Sequence, residues 1–273
     1  MKIALYNREP GDGIEALKGR LREKGATLAC YGEDFLSWED LPAGTELFLS
    51  LGGDGTFLQS LTFIRDRGIP VAGINFGRLG FLTTARADET DRWIDDLLSG
   101  RYTVEERSLL RVACDGLPGD FYPFALNEVS VQRRGASMLS VRVRIDGREL
   151  PTYWADGLVV STPTGSTAYN LSVGGPVVMP SSEVMVIAPI APHNLNVRPL
   201  VVPMSSCVEM RFGSRSGSAL LAVDNRPFDV ASGTEITISR GSYGLRYVSF
   251  SDNNFIGALR TKLLWGEDRR NTI

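Results

Sequence analysis

One carboxylate, Asp54, stands in the stretch Gly52-Gly53-Asp54-Gly55-Thr56, directly after the uncharged run Leu47-Phe48-Leu49-Ser50-Leu51. Glycines on both sides let the backbone approach a ligand and take positive φ. An aspartate among them has no side chain beside it to pack against. Such a carboxylate can act as a general base, and the bare N–H groups around it suit phosphate. A glycine turn that merely punctuates a fold is the competing reading. The stretch is neither a G-x-x-x-x-G-K-[ST] loop nor a G-x-G-x-x-G fingerprint. The lysines, Lys2, Lys18, Lys24 and Lys262, adjoin no glycine cluster in the sequence.

Two further groups of residues carry chemistry. The segment Ala155-Asp156-Gly157 through Ser161-Thr162-Pro163-Thr164-Gly165-Ser166-Thr167-Ala168-Tyr169-Asn170-Leu171-Ser172 is dense in hydroxyls, Pro and Gly. Hydroxyls beside bare N–H groups suit phosphate, ribose or an amide. Ser166 or Thr164 capping a short helix through Tyr169 accounts for only two of them. Asn127-Glu128 interrupts the otherwise apolar stretch Phe121–Val131. One reading is a pair turned to solvent at a strand edge. The other is a carboxylate accepting two adjacent ribose hydroxyls beside an amide that reads an adenine edge. The loop Asn75–Leu82 reads equally as turn chemistry with buried aromatics or as a cleft wall in which Phe81 offers a flat face to a base. His193, the sole histidine, sits in a proline-bounded connection. One histidine excludes a multi-histidine metal site, and without G-x-S-x-G serine-hydrolase chemistry has no support.

The elements that must hold these residues follow from periodicity. Strands are expected at Lys2–Tyr6, Thr27–Tyr31, Leu47–Leu51 and Ile69–Ile74, alternating with helices at Ile14–Lys24, Thr56–Arg67 (Thr56 as N-cap) and Asp88–Ser99. That alternation means a parallel sheet, with Asp54 at a strand's C-terminal end, where open α/β sheets bind ligands. From Arg101 helical spacing nearly vanishes. Short alternating strands follow, from Leu109–Ala113 to Arg246–Phe250, with Glu149–Trp154 among them. Asp146-Gly147 is a hairpin turn between two of them. The expected division is therefore an α/β domain at 1–100, a β-rich domain of layered sheets at 101–252, and a helical segment at 253–273 returning to the first domain.

Composition narrows the function. The 273 residues are 43% hydrophobic and 22% charged with net charge −3, so no broad basic field exists for nucleic acid or anionic membrane. The doublets Arg133-Arg134 and Arg269-Arg270 read as solvated. Cys30, Cys114 and Cys207 are odd in number and far apart, which argues against a disulfide framework or zinc site and for reduced thiols. The opening K-I-A-L-Y is a strand without a leader's features, and no apolar run reaches the roughly 20 residues a membrane helix needs. A cytoplasmic protein is the expectation.

Together the motifs resemble the bacterial NAD kinase family. The resemblance rests on Gly52–Thr56, Leu79-Gly80-Phe81-Leu82, Asn127-Glu128, Asp156-Gly157, Thr162–Tyr169, Gly174-Gly175-Pro176 and Pro192-His193 with Arg198-Pro199, in family order along most of the chain. It implies an α/β N-terminal domain and a β-rich C-terminal domain with NAD between them. The implied reaction phosphorylates the 2′-hydroxyl of the adenosine ribose, from ATP with Mg²⁺ or another divalent cation, or from polyphosphate in some members, to give NADP. It implies a homo-oligomer, dimer or tetramer, whose site borrows residues from a second subunit. By resemblance Asp54 is the base. Gly52, Gly53, Gly55 and Thr56 form the donor-phosphate loop. Glu128 holds the ribose; Asn127 and Thr167 meet the adenine. Phe81 and Tyr169 supply flat faces, and Gly55, Asp156, Ala168 and Ser172 complete the nucleotide pocket. Two departures from the family pattern, Trp154-Ala155 before Asp156 and Asp224-Asn225-Arg226, leave the preference between NAD and NADH open. A lipid or sugar kinase of the same superfamily lacks its apolar groove or its cluster of basic residues here. A non-catalytic NAD(H) sensor would not need Asp54.

Overall fold

A computed structural model describes residues 1–8, 12–31, 37–75, 80–83, 85–86, 90–250 and 255–266. It forms two compact units, Met1–Glu106 with Leu245–Ile273, and Arg107–Gly244.

The first unit is built on one sheet with strands in the spatial order Thr27–Tyr31, Lys2–Asn7, Leu47–Leu51, Val71–Asn75, Leu245–Ser249 and Thr103–Arg107. The short strand Ala85–Arg86 joins Val71–Asn75. The inner pairings are parallel, with Leu5 opposite Leu49 and Leu49 opposite Ala72. Alternation divides the two faces. Leu47, Leu49 and Leu51 join Leu17 and Leu21 of the helix Asp12–Glu23 and Trp93, Ile94 and Leu97 of the helix Thr90–Leu98 in one core. On the other face the helix Asp54–Ile64 packs Phe63 on Tyr6 and Phe57 on Tyr247. The helix Phe255–Leu263 belongs to this unit.

The second unit has two antiparallel sheets. In one, Glu128–Arg133 is flanked by Gly157–Ser161 and Ser218–Val223. Val184–Ile190 and Leu200–Pro203 extend it on one side and Arg226–Ala231 on the other. The other contains Leu110–Cys114, Leu139–Ile145, Val208–Gly213 and Glu235–Arg240. Side chains of both sheets, among them Val129, Val131, Val141, Val143, Leu158, Val160, Met210 and Ile238, interdigitate in one core. Each such fully buried aliphatic contributes about 1.5–3 kcal/mol against leaving it in water.

The architecture is the expected one, and several details differ. The strand expected at Arg246–Phe250 in the β-rich domain lies at Leu245–Ser249 and runs parallel to Val71–Asn75, with Tyr247 opposite Val71. Its burial is nearly continuous rather than alternating, which suits an inner strand of a covered sheet. The chain therefore returns to the first unit at Leu245 rather than 253. It leaves that unit after Glu106 rather than Gly100, because Thr103–Arg107 is the sheet's last strand. Thr56 does not cap the second helix. The helix starts at Asp54 with Gly53 as N-cap, and Phe57 N–H donates to the Gly53 carbonyl at 3.1 Å. Pro151 splits the expected strand Glu149–Trp154 into Arg148–Glu149 and Tyr153–Ala155. Arg226–Ala231, unread in the sequence because Pro227 and Asp229 obscure its alternation, pairs as a hairpin with Ser218–Val223. Cys114 and Cys207 are free thiols. Of the expected features, Phe76–Leu79 and Arg269-Arg270 lie outside the described residues.

Candidate functional site

In the first unit, Asp54 occupies the first helical position after the Leu47–Leu51 strand, at the positive end of the helix dipole. Its carboxylate is held by the loop that follows Val71–Asn75. Oδ2 accepts the Phe81 N–H at 2.8 Å and Oδ1 the Leu82 N–H at 3.0 Å. The Thr83 hydroxyl accepts the Gly80 N–H at 3.0 Å and fixes the loop's approach. A Cβ at Gly80 would fall 1.8 Å from Asp54 Oδ1, so only glycine leaves room for the carboxylate. Gly52 N–H donates to the Ile74 carbonyl at 2.8 Å, joining the two loops at their roots. Gly52 has φ +150°, and a Cβ there would fall 2.5 Å from Thr56 Oγ1. Gly53 and Gly55 are exposed, and a Cβ at either meets nothing within 4 Å. Gly53 is the helix N-cap, a position that glycine suits. Among the described residues nothing packs where a Gly55 side chain would go, which leaves that face of the turn open to a ligand. Two backbone bonds leave further lone pairs on the carboxylate, enough to accept a proton or a hydroxyl hydrogen.

In the second unit, Asn127 and Glu128 sit where the Glu128–Arg133 strand begins, beside the end of Gly157–Ser161, with Ser161 opposite Glu128. The hydroxyl-rich segment forms a 3-10 turn over Thr164–Thr167 and a short helix over Tyr169–Ser172, joined at Ala168. Neither Thr164 nor Ser166 caps that helix. Most hydroxyls are consumed internally. Thr162 Oγ1 accepts the Gly165 N–H at 3.0 Å and donates to the Leu126 carbonyl. Fully buried Ser166 donates to and accepts from the Val178 backbone. A Cβ at Gly165 would fall 2.1 Å from the Asn127 carbonyl oxygen, so this glycine lets the turn lie flat on the Asn127-Glu128 backbone. The packing brings Asn127, Glu128, Thr167, Ala168 and Tyr169 to one place. Asn170 ties the turn to the following loop through its bonds to the Ser166 and Pro176 carbonyls at 3.1 and 3.0 Å.

Glu128 is the electrostatic anomaly. Its Oε2 is shut from solvent with no hydrogen-bond partner among the described residues. Burial, then the negative charge of Asp224, push its carboxyl up to about 8, against a backbone bond from Tyr169 that lowers it. A buried carboxylate with an unspent acceptor is what a pair of vicinal hydroxyls would satisfy. The Tyr169 phenol is itself raised by burial and by the charges of Glu128 and Asp156, which places Asp156 within electrostatic reach of the group.

Two residues that the sequence left unassigned support this site from below. Asp224, in a positive-φ turn, accepts the backbone N–H groups of Leu126, Asn127 and Glu128 at 3.0, 2.8 and 3.2 Å. Burial raises its carboxyl, opposed by Arg226 and the three amides. The Arg226 guanidinium lies 3.7 Å from Asp224 and donates to the Tyr122 and Phe124 carbonyls at 2.6 Å each. Only proximity in the fold reveals this buttress, since about a hundred residues separate its halves. Asp156 pairs with Arg133 at 3.0 Å, so Arg133 is not merely solvated. Both border a cleft of about 600 Å³ that Trp154, Met138 and His193 also line. Ser172, expected in the nucleotide pocket, is exposed at the end of its short helix.

These features define a two-unit protein, α/β and antiparallel β, with an aspartate on a helix start in one unit and a carboxylate with a buried, unpartnered oxygen in the other. Residues 38–102 match the ATP-NAD kinase N-terminal domain, and residues 126–250 the ATP-NAD kinase C-terminal domain. Relatives agree. The chain is 46% identical to an NAD kinase of Cytophaga hutchinsonii over 83% of this chain and 78% of that one. It is 40% identical to one of Porphyromonas gingivalis over 97% and 98%. Among solved structures, yeast NADH kinase in complex with NADH superposes with TM-score 0.88 at 26% identity, covering 100% of this chain and 90% of that one. An NAD kinase from Archaeoglobus fulgidus in complex with ATP superposes with TM-score 0.77 at 30% identity, covering 95% and 99%. The chain belongs to the NAD kinase family.

Proposed function

We propose that the protein transfers the terminal phosphoryl group of ATP to the 2′-hydroxyl of the adenosine ribose of NAD, giving NADP. The observation that carries the reading is the solvent-shut, unpartnered Glu128 Oε2 beside Asn127 and the Thr164–Thr167 turn. Glu128 accepts the ribose hydroxyls, Asn127 and Thr167 read the adenine edge, and Tyr169 and Ala168 form the floor. Asp156 serves the far end of the dinucleotide. A ribose hydroxyl is a poor nucleophile at neutral pH. Asp54, oriented by two backbone N–H groups, takes its proton as the bond to phosphorus forms; a positioned base contributes about 10²–10⁴-fold. Gly53 and Gly55 leave room for the triphosphate against the start of the helix, with Gly52 and Thr56 shaping the turn. Phe81 offers its ring on the same unit.

A divalent cation, Mg²⁺ by family expectation, would neutralise the donor's phosphates. Among the described residues no three carboxylate, histidine or cysteine side chains converge as a cage. A cation that arrives bound to the donor's phosphates is part of that substrate. Polyphosphate as an alternative donor, a homo-oligomer sharing its sites and a cytoplasmic location belong to the same proposal. No helix among the described residues is long and apolar enough to cross a membrane. The deciding experiment incubates the protein with ATP, Mg²⁺ and NAD and measures NADP with an NADP-specific dehydrogenase. Absence of NADP at micromolar enzyme would overturn the reading.

A further inference from the structure

The sequence shows no lysine near the glycine turn, yet the fold brings one there. Lys262 lies in the last turn of the helix Phe255–Leu263. Its Nζ stands 4.7 Å from the centroid of the Phe81 ring, and the Phe81 N–H is one of the two that hold Asp54. Phe255, from the start of the same helix, meets Phe81 at 6.5 Å and fixes the helix against that loop. The ammonium is half-buried, and among the described residues it makes no hydrogen bond and no ion pair. Its environment depresses it: burial pulls its pKa down, and the negative charge of Asp54 only partly restores it. The other lysines are engaged elsewhere, Lys2 with the Ala43 carbonyl, Lys18 with Glu15 and Lys24 with Asp95.

A partly desolvated ammonium held by an aromatic face, without an anion of its own, is an unfavourable arrangement that an anionic ligand would relieve. The anion that the neighbouring turn is shaped for is a polyphosphate. We propose that Lys262 is the cation of the phosphoryl-transfer site, its Nζ donating to the terminal phosphates of the nucleotide donor beside Asp54. This assignment rests on the kinase reading above. In the step it serves, the bond from the ribose oxygen to the γ-phosphorus forms and the bond from that phosphorus to the β–γ bridging oxygen breaks. The electron pair leaves with ADP, and the hydroxyl proton passes to Asp54. Lys262 keeps its protons and neutralises charge on the oxygens, the role that a lysine within the glycine loop fills in other nucleotide-binding folds. The competing reading is a lysine that complements the negative end of its own helix.

The test compares the intact protein with Lys262→Met, Lys262→Gln and Lys262→Arg. Losing one charge-assisted bond to phosphate should raise KM for ATP about tenfold or more and lower kcat. KM for NAD should stay unchanged, and arginine should restore part of the loss. Calorimetric binding of a non-hydrolysable ATP analogue should weaken alongside. A rise in both KM values together with a lowered Tm would mark Lys262 as structural, and unchanged ATP kinetics would discard it. If the intact protein made no NADP but Lys262→Met still weakened binding of the analogue, the kinase reading would fail and the phosphate contact would stand.

Discussion

The Asp224 carboxylate accepts the backbone N–H of Glu128 at 3.2 Å, so one buried carboxylate holds the strand entry that carries another. The arrangement fixes Glu128 in place and at the same time disfavours its ionisation, since the charge of Asp224 adds to burial in raising it to about 8. A group whose folded pKa exceeds its unfolded value binds more protons in the folded state. Between about 4.5 and 8 the folded protein therefore loses stability as pH rises. Glu128→Gln removes that penalty. It should raise the Tm of the ligand-free protein at pH 8, by about 2–4 °C for each kcal/mol relieved, and much less at pH 5. Thermal melts across that range check it.

The same substitution should weaken NAD binding, because a neutral amide is a poorer acceptor for two hydroxyls than a carboxylate. In the unsubstituted protein, vicinal hydroxyls favour the ionised form, so binding below pH 8 should release a proton and affinity should rise with pH toward that value. Calorimetry in buffers of different ionisation enthalpy reads the proton directly. Proton uptake, or none, would remove Glu128 from the ribose.

Removing the buttress should act in the opposite direction on stability. Asp224→Ala leaves three backbone donors without their acceptor and the buried Arg226 guanidinium without its counter-charge, and breaking a buried pair in this way costs about 3–5 kcal/mol. Denaturant unfolding measures the loss. Where the variant still folds, KM for NAD should rise far more than KM for ATP, since the displaced segment carries Asn127 and Glu128.

The first unit's alternation of strand and helix was legible because its inner strands are short uncharged apolar runs and its first helix spaces Ile14, Leu17 and Leu21 along one face. Asp54 was legible because a charged residue between glycines is conspicuous. Asn127 and Glu128 stood out for a similar reason, as polar residues in an apolar run. What the sequence concealed depends on proximity of distant segments. Asp224 meets residues 126–128, and Arg226 the Tyr122 and Phe124 carbonyls, only through strand pairing, and Lys262 meets Phe81 only because a late helix packs against the loop that carries that ring. The hydroxyl-rich segment was overread in part. Thr162 and Ser166 serve the local fold, and Gly165 matters there through the atom it lacks.

The carboxylate of Asp54 and the absent side chain of Gly80 form a second dependent pair. Asp54→Asn keeps nearly the same volume and should retain NAD binding while kcat falls about 10²–10⁴-fold. Gly80→Ala should lower kcat without touching any ionisable group, because its methyl would occupy the space of Asp54 Oδ1 and force the carboxylate off the Phe81 and Leu82 amides. Steady-state kinetics on both variants distinguishes loss of the base from loss of its orientation. Unchanged kcat in Asp54→Asn would end the assignment of Asp54 as base.

Gly55 separates folding from function most cleanly. It lies in the first turn of the helix Asp54–Ile64, exposed, with open space where a Cβ would go. For folding alone, alanine is the better residue there, and Gly55→Ala should stabilise the protein by about 0.5–1 kcal/mol. If donor phosphates lie against this turn, the added methyl meets them, and kcat/KM for ATP should fall while KM for NAD is unchanged. Opposite signs in stability and activity from one methyl group would show that the glycine serves the ligand. A variant both more stable and fully active would mean that nothing comes close to that face of the turn, and the donor site would have to lie elsewhere.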